Sequence, residues 1–570
     1  MANKQWHDLI EQKMSRRSWL KLSIAAVGAA IAPMPGLTGN AAAAPASRTA
    51  PPFGAIKAQK TDDLVLPRGY SYNVVRAFGD RITNGENFGY NNDYTQFLPI
   101  NGLDVGFDAK NYNSAFYGKG ASSSDGLLVV NHEYVNPLLI YGYTGGTKSQ
   151  AQIDQERAAV GLSVFRVQKG KNGQWGFADD PMNRRINAWT MAQFTGPAAG
   201  SSAVKGSAMA MGSVGNCSGG ATPWGTVLTC EENVDEYGTA VDKGGAGWDS
   251  AYTKEHQGWV MEVDPYNVSS MPRKHTAMGR FRHENVAVVV SANNKVVAYM
   301  GDDKNDSCVY KFVSAGTYDP ANREANMRLL ENGDLYVADF ASGKWRLLNY
   351  DKVEGLRTAM KTDGKTPVFA NQADVLADAR TAALAAKGTP VDRPEDIEIH
   401  PKTGHIYIAL TNNTAHGNFH GQIVRIAEDN NNYESQDFDW ELFAAGGPQS
   451  GFSSPDNMIF DPNGNLWMVT DISSSRVGTG IYSFQGNNAM FFFATEGPNA
   501  GKAVQFASGP NECEMTGQCW TPDGRTMFLA IQHPGEESPS LDKLSSTWPR
   551  INGENYPRPA VVAINGFKGF

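Results

Sequence analysis

A strand–turn–strand motif repeats in the second half of the chain and restricts the folds that this sequence can adopt. Each copy has an acidic loop, a short apolar strand, a turn with Pro and Gly, and a second apolar strand with a polar end. The copies are residues 393–413, 454–471 and 514–533. Their turn prolines, Pro401, Pro462 and Pro522, lie 61 and 60 residues apart. Repetition at such an interval is typical of a β-propeller, in which each repeat forms one blade.

Six apolar, β-prone runs share one pattern, because each stops abruptly at a cluster of polar residues. The runs are residues 127–130, 226–229, 296–300, 406–410, 466–469 and 527–531. They are continuous rather than alternating, as expected for strands that are buried on both faces. We therefore predict an all-β fold, a six-bladed β-propeller with a few peripheral helical insertions.

Two insertions have helical patterns. Residues 374–387 begin at a capping Asp and stop before Gly388 and Pro390, and residues 149–159 form a weaker candidate. We place both on the outside of the propeller. Because a closed ring of blades leaves few exposed strand edges, we predict that residues 47–570 form one domain and that the protein is a monomer.

The N-terminal segment has the pattern of an export signal. Residues 15–21 contain a twin-arginine motif, an apolar run extends from Leu22 to about Pro33, and residues 41–46 supply small side chains for cleavage. We predict that residues 1–46 are a signal peptide for the twin-arginine export machinery and that the mature protein is periplasmic or secreted. No later segment is apolar for the roughly 20 residues that a membrane-spanning helix needs, so we expect no stable membrane association.

The charge balance limits the classes of partner. The net charge is −9, and loss of residues 1–46 lowers it to −12, because five Lys/Arg and two Asp/Glu leave. This excess of acid lacks the basic footprint of a nucleic-acid-binding protein. It suits binding of hard cations, and it equally suits an acidic secreted protein.

Acidic residues recur at corresponding places in the repeats. The acids at strand ends are Glu133, Glu231, Glu232, Asp302, Asp303 and Asp471, and those in loops that lead into the repeats are Glu284, Glu395, Asp456, Glu512 and Glu514. A buried carboxylate is costly unless it is paired or bound to a metal. Any one of these acids fits a solvated turn, but the set in register predicts an oxygen-rich calcium site at the propeller axis.

The cysteines extend the metal hypothesis. A thiolate at Cys230, beside Glu231 and Glu232, is a poor calcium ligand but a good one for iron or zinc. The alternative is that Cys230 is a small buried apolar residue. Five cysteines leave at least one unpaired, while Cys513 and Cys519 are close enough in sequence for a disulfide.

Arg393 is the candidate for binding an anionic substrate. It lies two residues before Glu395, and a guanidinium group can bind phosphate through two hydrogen bonds. A structural ion pair with Glu395 is the alternative. Arg280, Arg282 and Lys304 are lesser candidates near other acids.

Nucleophilic triads are poorly supported. The sequence lacks Gly-x-Ser-x-Gly and His-Glu-x-x-His, and residues 216–220 are predicted to form a loop without a neighbouring histidine. We therefore expect metal ions, rather than a side chain, to generate the nucleophile.

These motifs together resemble the PhoX family of alkaline phosphatases. The matching segments are Val130–Tyr134, Trp224–Asn233, Gly279–Glu284, Arg393–Asp396, Ser454–Asn457 and Glu514–Glu536. The resemblance implies a six-bladed propeller that hydrolyses small-molecule phosphate monoesters, with iron and calcium ions and an oxo or hydroxo nucleophile on the metals. It also implies that Cys230 and Glu284 bind iron, and that Arg393 holds the phosphate.

The predicted site combines the acids that recur in the repeats with the residues that the family resemblance implies. The predicted catalytic residues are Arg393 and Glu395, and the predicted metal ligands are Glu133, Cys230, Glu231, Glu232, Glu284, Asp302, Glu395, Asp456, Asp471 and Glu514. Two alternative functions remain at this point. They are a calcium-dependent propeller lactonase or esterase, and a non-catalytic binding propeller stabilised by calcium.

Overall fold

The computed structural model describes residues 4–13, 51–107, 117–238, 246–248 and 252–569. The twin-arginine motif and the small residues 41–46 lie outside this part of the chain. Helix α1 (Lys4–Lys13) comes first, followed by strands β1 (Ser71–Ala77), β2 (Arg81–Thr83) and β3 (Glu86–Asn87). Strands β2 and β3 pair with each other as a small ribbon.

The first two blades form the N-terminal third of the propeller. The elements of blade 1 are β4 (Asn92–Pro99), α2 (Gly102–Val105), β5 (Asp125–His132), α3 (Pro137–Tyr141), α4 (Gln150–Ala159), β6 (Gly161–Lys169), β7 (Trp175–Ala178) and β8 (Arg184–Ile186). The elements of blade 2 are β9 (Met191–Thr195), β10 (Met209–Met211), β11 (Asn216–Ala221), β12 (Val227–Glu231), β13 (Val260–Val263) and β14 (Arg273–His275). Blade 1 has the order β4-β5-β6-β7, with β8 also on β6, and blade 2 has the order β11-β12-β13-β14-β9-β10.

Blades 3 and 4 follow, linked by a two-stranded ribbon. The elements of blade 3 and its insertions are β15 (His283–Val290), β16 (Val296–Asp302), β17 (Asn305–Ser307), β18 (Val309–Ser314), α5 (Arg323–Asn326), β19 (Gly333–Asp339), β20 (Lys344–Leu347), α6 (Glu354–Thr358), α7 (Gln372–Ala377) and α8 (Ala379–Ala385). The elements of blade 4 are β21 (Val391–Asp392), β22 (Pro394–Ile399), β23 (Ile406–Leu410), β24 (Gln422–Glu428) and β25 (Phe438–Ala445). Blade 3 has the order β15-β16-β18-β19-β20, blade 4 has the order β22-β23-β24-β25, and β17 pairs with β21.

The last two blades complete the ring. Their elements are β26 (Pro455–Phe460), β27 (Leu466–Thr470), β28 (Ala489–Phe493), β29 (Ala503–Ser508), β30 (Glu514–Trp520), β31 (Thr526–Gln532) and β32 (Ala560–Asn565). Blade 5 is β26-β27-β28-β29, and blade 6 is β30-β31-β32-β1. Short 3-10 turns lie at Ser202–Val204, Lys254–His256, Thr276–Met278, Thr414–His416, Asp429–Asn431, Gly480–Tyr482 and Ile551–Gly553.

Blade 6 closes the propeller by joining the two ends of the fold. Strand β1 pairs antiparallel with β32, from Ser71 opposite Asn565 to Ala77 opposite Ala560. The innermost strands β4, β11, β15, β22, β26 and β30 then lie side by side around the axis, and β30 contacts β4 to complete the circle. The prediction of a six-bladed propeller is confirmed.

The continuous apolar runs are explained by packing between blades. In β23, Ile406 and Ile408 belong to an apolar cluster shared with blade 3, while Tyr407 and Ala409 belong to one shared with blade 5. Successive side chains of a strand point to opposite faces, so a strand between two blades must be apolar at every position.

The two predicted helical insertions have different outcomes. Helix α4 confirms the prediction for residues 149–159, and Ser149 and Gln152 form a capping box at its start. The predicted helix over residues 374–387 is instead two helices, α7 and α8, because the Asp378 side chain accepts a hydrogen bond from the Thr381 backbone N–H and starts a new helix. This segment does not merely decorate the surface, since Val375 and Ala382 are buried in the blade 3 core.

All five cysteines lie in the described part of the chain, and each is buried and unpaired. Cys513 packs in the cluster that β30 shares with blade 5, and Cys519 packs in the cluster between blades 6 and 1. The disulfide that their spacing allows is therefore not formed. None of the helices in the described residues has the length and apolar character needed to cross a membrane.

Close approach of the inner strands generates a test of the ring. A Cβ atom added at Gly220 of β11 would clash with the carbonyl oxygen of Val286 in the neighbouring strand β15. We expect Gly220→Ala to lower the free energy of unfolding by about 1–3 kcal/mol, the usual cost of overpacking. Gly176→Ala is the matched control, because a Cβ there meets no atom within 4 Å. Equal denaturant midpoints for the two variants would contradict this account of the ring.

Candidate active site

Two sets of residues meet at one end of the central channel. The first set occupies the second position of five inner strands: Asp93, Cys217, Glu284, Glu395 and Asp456. The second set directly follows the second strand of five blades: Glu133, Glu232, Asp303, Asp471 and His533. Most of these residues, together with Arg393 and Glu514, line one cavity of about 250 Å³. The repeat of the fold thus brings distant parts of the chain to one site.

A β-bulge accompanies the first set. The pairing register between the first and second strands shifts between Asn92 and Thr95 in β4, and the same shift occurs at the matching place in β11, β15, β22 and β26. The functional residue lies inside the shifted segment each time. Bulges re-aim side chains and are frequent next to active sites. Here they direct the side chains toward the channel.

Cys217 lies at the centre of the acidic residues. Its Sγ is 3.6 Å from Asp93 Oδ2 and 3.2 Å from Glu284 Oε2. Three groups of side chains have ligand atoms within 4.8 Å of one another: Asp93 with Glu133 and Cys217, Cys217 with Glu232 and Glu284, and Glu284 with Glu395 and Asp456. These groups share members, so they form one continuous cluster.

Burial of this cluster disfavours its charged state. Burial raises the pKa of Glu133 to about 8 and that of Asp456 to about 7. Burial and then the charge of Glu395 raise the pKa of Glu284, and burial likewise raises the pKa of the Cys217 thiol. Carboxylates brought this close repel one another, and nearby positive charge would restore their ionised form.

Protein donors satisfy the cluster only in part: Gln532 Nε2 donates to Asp93 Oδ2 at 2.8 Å, and Asn233 Nδ2 donates to Glu232 Oε2 at 2.8 Å. No described residue donates a hydrogen bond to Asp93 Oδ1, Glu232 Oε1 or Asp456 Oδ1, although all three atoms are buried. Both polar side-chain atoms of the neighbouring Asn91 are also buried without a described partner. Buried oxygen atoms without a hydrogen-bond donor are the ligands that hard cations prefer, and the thiol of Cys217 among them also suits iron.

Arg393 is the cation that lines the cavity. Its guanidinium group donates two hydrogen bonds of 2.8 Å to the carboxylate of Asp303 and lies 2.7 Å from Glu395 Oε1. A weaker approach of 3.9 Å links it to Asp471. Although burial lowers the pKa of Arg393, Asp303 and Glu395 together raise it well above the ordinary value. The ion pair with Glu395 is thus present, and the same group faces the cavity.

The wall of the cavity contains neutral donors. Tyr134 Oη donates to Glu536 Oε1 at 2.6 Å, and Ser474 Oγ donates to Glu536 Oε2 at 2.5 Å. His533 Nε2 is 3.4 Å from Glu514 Oε2, inside the same pocket. Glu512, which the sequence grouped with the loop acids, instead accepts hydrogen bonds from Ser545 Oγ and the Glu537 backbone N–H.

Cys230 is a correction to the sequence-based site. It packs in the apolar cluster between blades 2 and 3, fully buried, and it pairs with Val260 on the neighbouring strand. Its side chain is a buried apolar residue, which was the alternative reading. Cys217 occupies the place in the site that we had assigned to Cys230.

Glu231 and Asp302 are also corrections. Glu231 accepts hydrogen bonds from Lys274 Nζ at 2.6 Å and Ser213 Oγ at 2.8 Å, and Asp302 is paired with Arg380. Each precedes a site residue, Glu232 or Asp303. Neighbouring side chains at a strand end point to opposite sides, so only one of each pair can face the channel.

The remaining predicted ligands share the site. They are Glu133, Glu232, Glu284, Glu395, Asp456, Asp471 and Glu514. Sequence reasoning missed Asp93 and Cys217 and left Asp303 out of the final set. Residues 216–220, predicted as a loop, belong to the inner strand β11. The repeat could have revealed Asp93 and Cys217. Both are the second residue of an inner strand, the position that Glu284, Glu395 and Asp456 hold in their blades.

A closed six-bladed propeller with a buried carboxylate–thiol cluster and a channel-facing arginine defines a class of metal-dependent propeller hydrolases. The family model described as alkaline phosphatase PhoX matches residues 51–535. The chain therefore belongs to the PhoX family of alkaline phosphatases, enzymes that hydrolyse phosphomonoesters. The family prediction is confirmed.

Solved structures agree with this assignment. Pseudomonas fluorescens PhoX in complex with vanadate, a transition state analogue, is 31% identical, with a TM-score of 0.78 over 90% of this chain and 97% of that chain. A Xanthomonas campestris gluconolactonase is 10% identical, and the match covers 90% of this chain and 98% of that chain. Its TM-score of 0.29 is too low to support any inference about this protein. A search of curated proteins found no match.

The two cysteines give the sharpest test of the corrected site. We expect Cys217→Ser to reduce phosphatase kcat/KM by at least about 100-fold, because it alters the one soft ligand in the cluster. Cys230→Ser should keep near-normal activity and lose only some stability, since its thiol lies in an apolar core. Kinetics on an aryl phosphate with unfolding curves for both variants would check this. The reverse ranking of the two activities would contradict the placement of Cys217.

Proposed function

We propose that this enzyme releases inorganic phosphate from small-molecule phosphomonoesters with calcium and iron ions bound in the channel cavity. The observation that carries the proposal is the convergence of buried carboxylates, a thiol and Arg393 on one cavity of about 250 Å³. The family match and the vanadate complex of the 31%-identical relative support it.

The ligand atoms of the cluster fall into two groups, one suited to iron and one suited to calcium. Cys217, Glu232 and Glu284 combine a thiol with carboxylates, a set suited to iron. The other acids offer oxygen ligands only, which suits calcium; they are Asp93, Glu133, Glu395, Asp456, Asp471 and Glu514. When bound, such cations neutralise the carboxylates, polarise a phosphoryl oxygen and make hydroxide available from water near neutral pH.

Arg393 binds the phosphate in this proposal. A guanidinium group can donate parallel hydrogen bonds to two phosphoryl oxygens. Asp303 and Glu395 hold the group at the cavity wall, so little side-chain entropy remains to be lost on substrate binding. Tyr134 and Ser474 fix Glu536 at the rim of the same cavity and so define its shape.

The export signal completes the proposal. The twin-arginine motif of residues 15–21 supports delivery to the periplasm or the medium. That route, which exports folded proteins, suits an enzyme whose metal ions are inserted before export. We propose a monomer, because the N-terminal strand β1 pairs with the C-terminal strand β32 and so closes the ring within one chain.

Removal of the metal ions tests the proposed function. We expect phosphate release from an aryl phosphate to stop after dialysis against a calcium chelator and to return when calcium is added. Elemental analysis of the untreated protein should find calcium and iron together. Hydrolysis of a lactone or carboxylic ester by the same protein is the control for the alternative esterase. Full phosphatase activity in protein shown to be free of both metals would refute the proposal.

Substitution of Arg393 tests phosphate binding. We expect Arg393→Lys to reduce kcat/KM by roughly 100-fold, because Lys keeps the charge but loses the paired donors. The control is Arg282→Lys, since the Arg282 guanidinium lies 3.5 Å from Asp235 and does not line the cavity. The affinity for inorganic phosphate as a competitive inhibitor should fall in parallel. Unchanged phosphate inhibition in Arg393→Lys would show that Arg393 is structural.

A further inference from the structure

Helix α1 packs on the propeller although it precedes the predicted export motif. Trp6 is only 1% exposed, and its ring stacks on Trp440 with a centroid distance of 5.1 Å. The edge of Phe340 meets the same ring at 5.2 Å. Residues 4–13, which we expected to lie outside the fold, thus share an apolar cluster with two blades.

The helix has one face for this contact. Trp6 and Ile10 are buried and Leu9 packs beside them, at the spacing of neighbouring turns. The opposite face is exposed and carries the ion pair of His7 with Glu11, at 3.4 Å. The helix is therefore amphipathic, and its apolar side is fully used by the propeller.

The receiving surface belongs to two different blades. Phe340 directly follows β19 of blade 3, and Trp440 lies in β25 of blade 4. The Trp440 indole N–H donates a 2.9 Å hydrogen bond to the Phe340 carbonyl oxygen and joins the two blades. This surface, the Phe340–Trp440 groove, exists only after the two blades have packed against each other.

A helix of ten residues is marginal in water by itself, because isolated helices need about 12–15 residues. The first turn of α1 also has no acidic residue to interact with the helix dipole. Its helical state therefore depends on the groove. Proteases cut extended segments, so the docked segment resists cleavage and the undocked segment does not.

We propose that α1 and the Phe340–Trp440 groove form a folding-dependent dock that protects residues 4–13 from proteolysis on folded chains. The twin-arginine motif begins two residues after Lys13, so the dock lies directly before it. A chain whose blades 3 and 4 have not packed offers no groove, and its residues 4–13 stay open to proteolysis. The dock itself rests neither on the proposed signal peptide nor on the proposed function.

Cleavage after Glu11 tests the dock, because Glu11 is exposed on the outer face in the last turn of α1. The full-length protein is treated with a Glu-specific protease, and the loss of residues 1–11 is followed by mass spectrometry. Each rate is divided by the rate for a synthetic peptide of residues 1–14 with the same substitution. We expect Trp6→Ala to be cut at least about tenfold faster than the wild type, since the buried indole holds the helix in place.

Two further variants complete the experiment. Ile10→Asp should behave like Trp6→Ala, and His7→Ala is the matched control, because it changes only the exposed face. Phosphatase activity should be the same in all variants, because none of the substituted residues lines the cavity. Unchanged activity shows that the propeller is folded. It also distinguishes failure of the dock from failure of the proposed function. Equal normalised rates for wild type and Trp6→Ala would overturn the proposal, and so would equal acceleration by His7→Ala.

Discussion

Negative charge confined to a buried space that protein donors satisfy only in part is the constraint on which this structure depends. Asp93, Glu284 and Asp456 lie within one connected cluster whose members are all buried. An uncompensated buried carboxylate costs several kcal/mol, so the folded state must either bind protons or bind cations there. The raised pKa values of Glu133 and Asp456 describe the proton-bound alternative. In the proposed function, bound metal ions take the place of those protons and make the cluster a centre that attracts phosphate.

Arg393 has a double role in this balance. Its left-handed backbone conformation, with φ of 50°, is unusual for a non-glycine residue and marks a constrained site. The chain turns there from the ribbon strand β21 into the inner strand β22, so the side chain reaches Asp303 of the neighbouring blade. One positive group therefore links blades 3 and 4 and remains at the wall of the cavity. In the proposed function, inter-blade packing and substrate binding depend on the same side chain.

The fold could be predicted because its signal is repeated. Pro401, Pro462 and Pro522 mark three equivalent turns, and each apolar run gave one strand between two blades. No repeated pattern in the sequence shows which way a side chain points at the end of a strand. The pairs Glu231–Glu232 and Asp302–Asp303 read alike in sequence, and only the structure shows which member faces the channel. Residues 216–220 were predicted to form a loop, whereas Gly220 permits close packing of β11 against β15 and Gly219 permits close approach of Leu228 and Tyr94.

Hydrogen-bond donors separate structural acids from those of the site. Asp396 follows Glu395 by one residue and is equally buried, yet it accepts hydrogen bonds from the backbone N–H groups of Ile397 and Met458. It lines a narrow cavity of about 40 Å³ deeper in the channel, and the protein itself satisfies its oxygen atoms. Glu231 is satisfied in the same way by Lys274. Both carboxylate oxygens of Asp396 and of Glu231 have protein donors, whereas Asp93 accepts hydrogen bonds at Oδ2 and has no described donor at its buried Oδ1. The candidate site is therefore the part of the channel where buried carboxylate oxygens of Asp93, Glu232 and Asp456 have no described donor.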